Sequence, residues 1–211
     1  NETNTNNFYK HGLVSHSLNI ANGTEITYNF TSLPVTPNSD IWLLYHLDNL
    51  SSEGESGSLA KDFSTRSING TPSNTKSNMT GGKFGGGYMF TGGTSNDKIT
   101  AGNGTDFANV CNNGCTFSLW GYKTSADNKN LLSRREVSPN GDDFFGLEHD
   151  TTIYFMITQE GNSTARCEVQ GGSPSLNMWN YYASSWENGT GVAKVYLNGE
   201  RVKVQNFSSY I

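Results

Sequence analysis

The fold class shows most directly in one segment, Ala193-Lys194-Val195-Tyr196-Leu197-Asn198-Gly199. Its apolar and polar residues alternate, which is the period of a half-buried β-strand. The Asn-Gly pair at its end favours the type I′ turn of a β-hairpin. The same alternation recurs in three other short segments, at residues 26–30, 116–120 and 152–156. No window keeps a helical apolar period over three turns, so the sequence predicts an antiparallel all-β fold.

The composition excludes several function classes. Of the 211 residues, 16% are charged and 34% hydrophobic, and 26 Asn, 24 Ser and 21 Thr make up about a third of the chain. These small polar residues favour turns and strand edges, which excludes a helical bundle. A net charge of −5 leaves no basic surplus for phosphates, which excludes nucleic acid as a partner. The longest apolar run, Ile41-Trp42-Leu43-Leu44-Tyr45, is too short to span a bilayer, so no membrane span is expected in this chain.

Residues 1–39 differ from the rest of the chain. They open on a polar run and close on Pro34-Val35-Thr36-Pro37, which favours an arm that ends in a linker. Ile26, Tyr28 and Phe30 alternate within the arm, so it carries a strand of its own. The predicted organisation is an N-terminal β arm (1–39) followed by a β-sandwich (40–211). The start at Asn1 without Met is expected either after removal of a signal peptide or within a longer protein.

Asn-x-Ser/Thr triplets occur about twice as often as the composition predicts. Because such a triplet is the acceptor of N-linked glycosylation, the excess favours an exported glycoprotein, extracellular or on the cell surface. The alternative is that an Asn-rich and Thr-rich surface produces idle triplets by chance. The ten acceptors are Asn1, Asn22, Asn29, Asn49, Asn69, Asn78, Asn103, Asn162, Asn188 and Asn206.

The three cysteines fit an oxidising compartment. Cys111 and Cys115 flank an Asn-Asn-Gly turn, which predicts a small disulfide loop. The alternative is half of a zinc site, but a second Cys or His pair at ligand spacing is missing. Cys167 lies in an alternating run, where we expect a small buried hydrophobe rather than a reactive thiol.

Four stretches from Trp42 onward follow one another in a characteristic order. They are Trp42-Leu43-Leu44-Tyr45-His46-Leu47-Asp48 with Ala60-Lys61-Asp62-Phe63-Ser64 and Asn69-Gly70-Thr71; Gly82-Lys83-Phe84-Gly85-Gly86-Gly87-Tyr88-Met89-Phe90-Thr91-Gly92 with Asp97-Lys98-Ile99; Cys115-Thr116-Phe117-Ser118-Leu119-Trp120; and Trp179-Asn180-Tyr181-Tyr182-Ala183 with Val195-Tyr196-Leu197-Asn198-Gly199. Over about 165 residues this order resembles the laminin-G-like, concanavalin A-like lectin/glucanase family. The resemblance implies an antiparallel jelly-roll β-sandwich. One departure is Thr91, which stands where the family usually has Asp.

A second departure concerns the end of the chain. Domains of this family normally close with one further strand beside the first strand, but here the sequence stops at Ile211. The predicted strand at residues 41–47 then has an open edge, which is a template for another strand. We expect the arm to fill it through Ile26, Tyr28 and Phe30, either within its own chain or by strand donation to a neighbouring subunit, which builds a polymer. The alternative is that the missing strand lies beyond Ile211 in a longer chain.

The resemblance also implies a structural calcium ion, because related domains often carry one near an Asp-containing turn. Asp48, Asp62 and Asn69 would lie in loops beside the opening strand, and their side-chain oxygens suit Ca²⁺. Glycosylation of Asn69 would conflict with its amide serving as a ligand. The alternative is that Asp62 only caps a turn.

Carbohydrate binding is the commonest activity that the resemblance implies. Aromatic residues on a rim stack on sugar faces, and the candidates are Tyr122, Phe144, Phe145, Tyr154 and Trp186. Because most of these residues alternate along strands, core packing is the alternative explanation for each. Trp42, Trp120 and Trp179 are assigned to the core.

Catalytic patterns are missing from the sequence. A glycosidase on such a sandwich needs two carboxylates, typically as Glu-x-Asp-x-Glu on one strand, and the nearest approach is Glu148-His149-Asp150 beside a turn. We therefore expect a non-enzymatic, extracellular structural or adhesive glycoprotein subunit that self-assembles through its arm into a filament or coat. The alternative is a carbohydrate-binding module of a larger secreted enzyme or adhesin.

Overall fold

The computed structural model describes residues 39–91, 97–107, 109–127, 129–135, 144–159 and 162–207. For Met79, Gly104, Lys129, Arg135, Phe144, Gln159 and residues 162–166 it describes the backbone alone. Almost the whole predicted arm, including Ile26, Tyr28 and Phe30, lies outside the described residues, as do the acceptors Asn1, Asn22 and Asn29. The arm therefore stays a prediction.

The described chain is almost entirely β, which confirms the predicted fold class. Its strands are β1 (Gly70–Ser73), β2 (Lys76–Gly82), β3 (Gly85–Met89), β4 (Lys98–Ala101), β5 (Cys115–Tyr122), β6 (Lys129–Arg135), β7 (Phe144–His149), β8 (Ile153–Gln159), β9 (Asn162–Gly171), β10 (Trp179–Glu187), β11 (Val192–Leu197) and β12 (Glu200–Asn206). Two short 3-10 turns lie at Ser51–Glu53 and Gly104–Phe107. Asn198 and Gly199 both have positive φ and join β11 to β12, as the hairpin prediction requires.

Two four-stranded antiparallel sheets form the sandwich. One has the order β12-β11-β10-β5, here the β10 sheet, and the other has the order β6-β7-β8-β9, here the β8 sheet. Strict alternation along β10 and β11 turns every second side chain inward, because successive residues of a strand face opposite sides. The core forms where these inward residues meet those of the β8 sheet, and it contains Leu147, Ile153, Phe155, Cys167, Val169, Tyr182, Trp186, Ala193, Val195 and Phe207.

A buried polar contact joins the two sheets within this core. The Tyr182 hydroxyl on β10 and Nδ1 of His149 on β7 lie 2.9 Å apart, and both residues are buried. Burial raises the pKa of Tyr182 to about 12, so the hydroxyl keeps its proton and can donate it to the ring nitrogen. Burial, then the Lys123 ammonium, lowers the pKa of His149 to about 4, against a smaller opposing effect of Asp150. The imidazole is therefore neutral at physiological pH.

The cysteines lie beside the core. Cys111 and Cys115 are joined by a disulfide with a Cα–Cα distance of 4.8 Å, and both half-cystines pack against the core cluster. Cys167 is buried with a free thiol, and burial raises its pKa. A buried thiol of raised pKa has little thiolate and so behaves as a small hydrophobe.

The segment before β1 differs from its predicted form. Residues 41–47 were expected to form an opening strand, but within the described residues this segment shows one isolated bridge, from Tyr45 to Asp62. The physical reason lies in the side chain of Asp62, whose Oδ1 accepts the backbone N–H of Leu44 at 2.9 Å. The Asp62 carboxylate thus accepts a backbone N–H that would otherwise pair with a neighbouring strand.

The glycine-rich β3 packs on the loop that follows this segment. A Cβ atom on Gly86 would lie 1.9 Å from the carbonyl oxygen of Asp48. Since no side chain fits there, glycine allows the backbone of β3 to approach the loop. Gly86 of this glycine-rich strand therefore packs directly on the backbone of Asp48.

Candidate functional site

The outward side of the β10 sheet carries a row of aromatic side chains. Trp120 on β5 lies directly opposite Tyr181 on β10, and Tyr122 lies opposite Trp179. The ring centroids are 5.2 Å apart in the first pair and 5.8 Å in the second. Trp120 is 40% exposed and Tyr122 48%, so large ring surfaces face solvent. These four residues are called the aromatic face.

The turn between β2 and β3 extends the aromatic face at one side. Phe84 in this turn is exposed and meets Trp120 edge-on, with ring centroids 5.7 Å apart. Lys83 places its ammonium 4.9 Å from the centroid of the Trp120 ring, a cation–π contact. The turn therefore adds both an apolar ring and a positive charge to the edge of the aromatic face.

A polar cleft continues the same surface toward the start of β5. Thr116 and Ser185, which are paired across β5 and β10, line a cleft of about 770 Å³ together with Lys194 and Tyr196 of β11. Between this cleft and the aromatic face lie Ser118 and Ala183, also paired across the two strands. The aromatic face and the cleft therefore lie on the same outward side of β5 and β10, separated by these two small residues.

An ion pair and hydrogen bonds hold the side chains in the part of the cleft that residues 187–194 form. Lys194 forms an ion pair with Glu187, and the Thr190 hydroxyl donates to the same carboxylate at 3.1 Å. The Lys194 hydrogen bond, then the Thr190 hydroxyl, lowers the pKa of Glu187. The amide of Asn188 donates to the Asn112 carbonyl at 2.7 Å, which ties this wall to the disulfide loop. The cleft thus offers hydroxyl and charged groups in fixed positions.

The residues predicted for sugar binding fall in different parts of the molecule. Tyr122 lies on the aromatic face, but Phe145 and Trp186 are only 8% and 7% exposed and pack inside the sandwich. Their assignment to a sugar-binding rim is wrong, because both belong to the inward-facing residues of their strands. Tyr154 lies on the opposite sheet, and the side chain of Phe144 lies outside the described residues.

The tryptophan assignments also need correction. Trp120 and Trp179 were expected in the core, but Trp120 is exposed and both belong to the aromatic face. The alternation within β5 indicates this orientation. Because Cys115, Phe117 and Leu119 form its inward set, Trp120 must face outward. Trp42 is half-buried, with the Arg66 guanidinium 3.6 Å from its ring centroid.

The predicted calcium ligands do not form one site. The carboxylate of Asp62 accepts four hydrogen bonds, from the backbone N–H groups of Leu44, Ser64 and Ile68 and from the Ser64 hydroxyl, at 2.7–2.9 Å. These donors use the lone pairs that a metal ion would need. Asn69 is committed as well, because its Oδ1 accepts the backbone N–H of Asp62 at 2.9 Å. Asp62 and Asn69 therefore shape the turn, which is the alternative that the sequence left open.

The outward side of the β8 sheet is polar. Glu148, Tyr154 and Gln170 lie side by side across β7, β8 and β9. The Gln170 amide donates to the Tyr154 hydroxyl at 2.7 Å and to the Thr152 hydroxyl at 2.8 Å. Asp150 lies in the turn after β7, where its N–H donates to the Thr152 carbonyl at 3.0 Å. Glu148 and Asp150 thus do not share one strand face as the paired acids of a glycosidase would.

A family model described as the concanavalin A-like lectin/glucanases superfamily, of laminin-G type, matches residues 92–211, more than half of the chain. The matched part contains β5 and β10, which carry the aromatic face, and all four strands of the β8 sheet. A search of curated proteins found no match. Among the described residues, no helix is long and apolar enough to cross a membrane.

Proposed function

The chain belongs to the concanavalin A-like lectin/glucanase superfamily, and from this premise we propose that it binds carbohydrate through the aromatic face and polar cleft without catalysing a reaction. The observation that carries the proposal is the pairing of two exposed rings, Trp120 and Tyr122, with the half-buried rings of Tyr181 and Trp179. The fold alone is shared by binding domains and enzymes, so the function must be argued from the site.

The aromatic face suits the apolar side of a sugar ring. Pyranose rings present flat C–H surfaces, and exposed aromatic rings cover such surfaces while their polar edges stay in water. The two aromatic pairs are two residues apart along each strand, a spacing of roughly 7 Å. A contiguous exposed apolar patch of this kind is a feature of interaction sites.

The polar cleft suits the hydroxyl groups of the same ligand. Thr116 and Ser185 can donate and accept hydrogen bonds, and Lys194 and Glu187 hold opposite charges in a fixed ion pair. An oligosaccharide lying along β5 and β10 would contact aromatic rings at one end and hydrogen-bonding groups at the other. Ligand sites commonly combine such an apolar surface with a few placed polar groups.

The acids of this surface support binding rather than hydrolysis. A general acid needs a raised pKa, whereas the ion pair with Lys194 lowers the pKa of Glu187. Asp40, the other acid that lines the cleft, is exposed. We therefore propose a non-catalytic lectin-like domain.

The binding proposal is tested with the Trp120→Ala variant. The native chain is screened on a glycan array, and its strongest oligosaccharide is titrated by calorimetry. Trp120→Ala should weaken binding about 30-fold, the effect of losing roughly 2 kcal/mol at a central contact. Tyr154→Ala, an aromatic truncation on the opposite sheet, is the matched control and should bind like the native chain. An array without specific binding, or equal loss in both variants, would overturn the proposal.

We also propose that the domain is an exported, adhesive surface subunit that assembles through its arm. The disulfide Cys111–Cys115 is typical of oxidising compartments. Glycosylation acceptors are exposed at Asn69, Asn78, Asn103, Asn188 and Asn206, whereas Asn49 is half-buried. Asp40, which follows the last residue of the arm, lines the polar cleft, so the arm ends beside the proposed ligand surface.

Native material tests this second proposal in two steps. Intact-mass measurement before and after enzymatic deglycosylation should show glycans above the 23.0 kDa of the polypeptide. Light scattering should then show multimers for the full chain and monomers after removal of residues 1–39. A full chain that remains a monomer, or a truncated chain of unchanged mass, would contradict assembly through the arm. An unmodified mass would contradict the glycoprotein assignment.

A further inference from the structure

The turn between β10 and β11 brings a glycosylation acceptor to the polar cleft. Asn188, Gly189 and Thr190 form the acceptor triplet, and all three line the cleft. Asn188 is exposed, and a Cβ atom on Gly189 would meet no other atom within 4 Å. The turn therefore leaves room for a modification of Asn188. None of the other acceptors within the described part of the chain lines this cleft.

The atom that carries an N-linked glycan has a fixed position in this turn. Nδ2 of Asn188 donates to the carbonyl of Asn112 in the disulfide loop at 2.7 Å. The next residues of that loop, Asn113, Gly114 and Cys115, line the cleft as well. A glycosylated amide keeps one N–H group, so this hydrogen bond can persist after modification. The first sugar of a glycan on Asn188 would therefore start between the turn and the disulfide loop, at the cleft.

The cleft and the aromatic face are close enough for one short glycan to reach both. Ser185 lines the cleft, and Tyr181 of the aromatic face lies four residues before it on the same outward side of β10. This separation is about 14 Å along an extended strand. Ser118 and Ala183, which lie between them, have small side chains. A glycan of a few sugar units on Asn188 can thus extend along the sheet to the aromatic face.

We propose that the aromatic face binds the N-linked glycan that this same chain carries on Asn188. The inference rests on the proposed carbohydrate binding and glycosylation, and it names the ligand. A sugar tethered to its own binding surface has an effective concentration on the order of millimolar, so a weak contact is enough to hold it. Trp120 and Tyr122 expose much of their rings, which the docked sugars would cover.

The docked glycan competes with free oligosaccharides for the same rings. If the docked form is about ten times as abundant as the undocked form, the apparent Kd for a free oligosaccharide rises about tenfold. Asn188→Gln removes the acceptor, so this variant should bind the strongest oligosaccharide of the array about tenfold more tightly than the glycosylated native chain. Asn206→Gln, which removes an exposed acceptor at the end of β12, is the matched control and should bind like the native chain.

Enzymatic removal of glycans from the folded full chain tests the docked state directly. The glycoprotein is treated with peptide-N-glycosidase without denaturant, and mass spectrometry of its peptides follows each acceptor separately. A docked glycan is shielded, so its release from Asn188 should be about tenfold slower than the release from Asn206. Trp120→Ala should accelerate release at Asn188 by about the same factor, because it removes a contact of the glycan and leaves the turn that carries the acceptor unchanged.

A second readout needs no substitution. An excess of the strongest array oligosaccharide should displace the glycan of the native chain and accelerate its release from Asn188. An unmodified Asn188, or release as fast as at Asn206, would overturn the inference. Slow release that neither Trp120→Ala nor the oligosaccharide accelerates would also overturn it, because the cleft alone would then shield the glycan. Failure of the underlying binding proposal gives a different result, since neither the native chain nor Asn188→Gln would then bind any oligosaccharide of the array.

Discussion

The two sheets of the sandwich share one core but differ on their outward sides. The outward side of the β10 sheet carries the exposed rings of Trp120 and Tyr122 beside the half-buried Trp179 and Tyr181. The outward side of the β8 sheet carries the hydrogen-bonded set of Thr152, Tyr154 and Gln170. Their inward residues meet in one core, to which β8 contributes Ile153 and Phe155 and β10 contributes Tyr182 and Trp186. The inward residues of both sheets serve the packing of the core. A difference in function between the sheets must therefore lie in their outward residues.

This difference shows which residues carry functional information. Burying large aromatic rings stabilises a sandwich by removing apolar surface from water, as Trp186 and Phe155 do here. Trp120 has no such role, since much of its ring stays exposed. An exposed tryptophan beside an exposed tyrosine therefore has a better explanation in ligand binding than in stability.

The largest effect that we expect is a pH dependence of stability, and it tests whether the two sheets unfold together as one core. His149 of the β8 sheet contacts Tyr182 of the β10 sheet, and burial lowers its pKa to about 4, below the roughly 6.5 of an unfolded chain. Between these values the unfolded chain binds a proton that the folded chain does not. The free energy of unfolding should thus fall by about 3 kcal/mol as the pH decreases from 6.5 to 4. Denaturant titrations over this pH range measure it.

His149→Gln provides the reference for this pH dependence. The variant lacks the titrating group, so the difference between its pH profile and the native profile isolates the contribution of His149 from that of the carboxylates. Tryptophan fluorescence reports mainly on the β10 sheet, which holds three of the four tryptophans, and circular dichroism follows both sheets. Separate transitions for the two signals would show that the sheets unfold independently and would weaken the idea of one shared core.

The fold was largely predictable from the sequence because alternation and turn residues are local signals. The segments at 116–120, 152–156 and 193–197 became parts of β5, β8 and β11, and Asn198-Gly199 became the turn between β11 and β12. The order of such segments was enough to identify the family. The segment at 41–47 was misjudged, since a side chain, Asp62, satisfies Leu44 where a strand was expected.

The candidate site was less predictable because it depends on orientation and on distant contacts. Tyr122, a sugar-binding candidate, lies on the aromatic face, whereas Trp120, which was expected in the core, is exposed beside it. The alternation of β5 nevertheless fixes its outward direction, because Trp120 is out of phase with the inward Phe117 and Leu119. Nothing local in the sequence indicates that the Glu55 carboxylate accepts hydrogen bonds from the N–H groups of Asp48 and Asn49. The same holds for the hydrogen bonds that the Asp62 carboxylate accepts from backbone N–H groups.

The smallest effect that we expect concerns the polar side of the β8 sheet. Gln170→Ala removes two hydrogen bonds, to Tyr154 and Thr152, at an exposed position. Because water replaces exposed hydrogen bonds, the free energy of unfolding should fall by only about 0.5 kcal/mol. Affinity for the oligosaccharide that binds the native chain should stay unchanged in calorimetry. A marked loss of affinity in Gln170→Ala would instead place the ligand-binding site on the β8 sheet. That result would contradict the roles that we assign to the two outward sides.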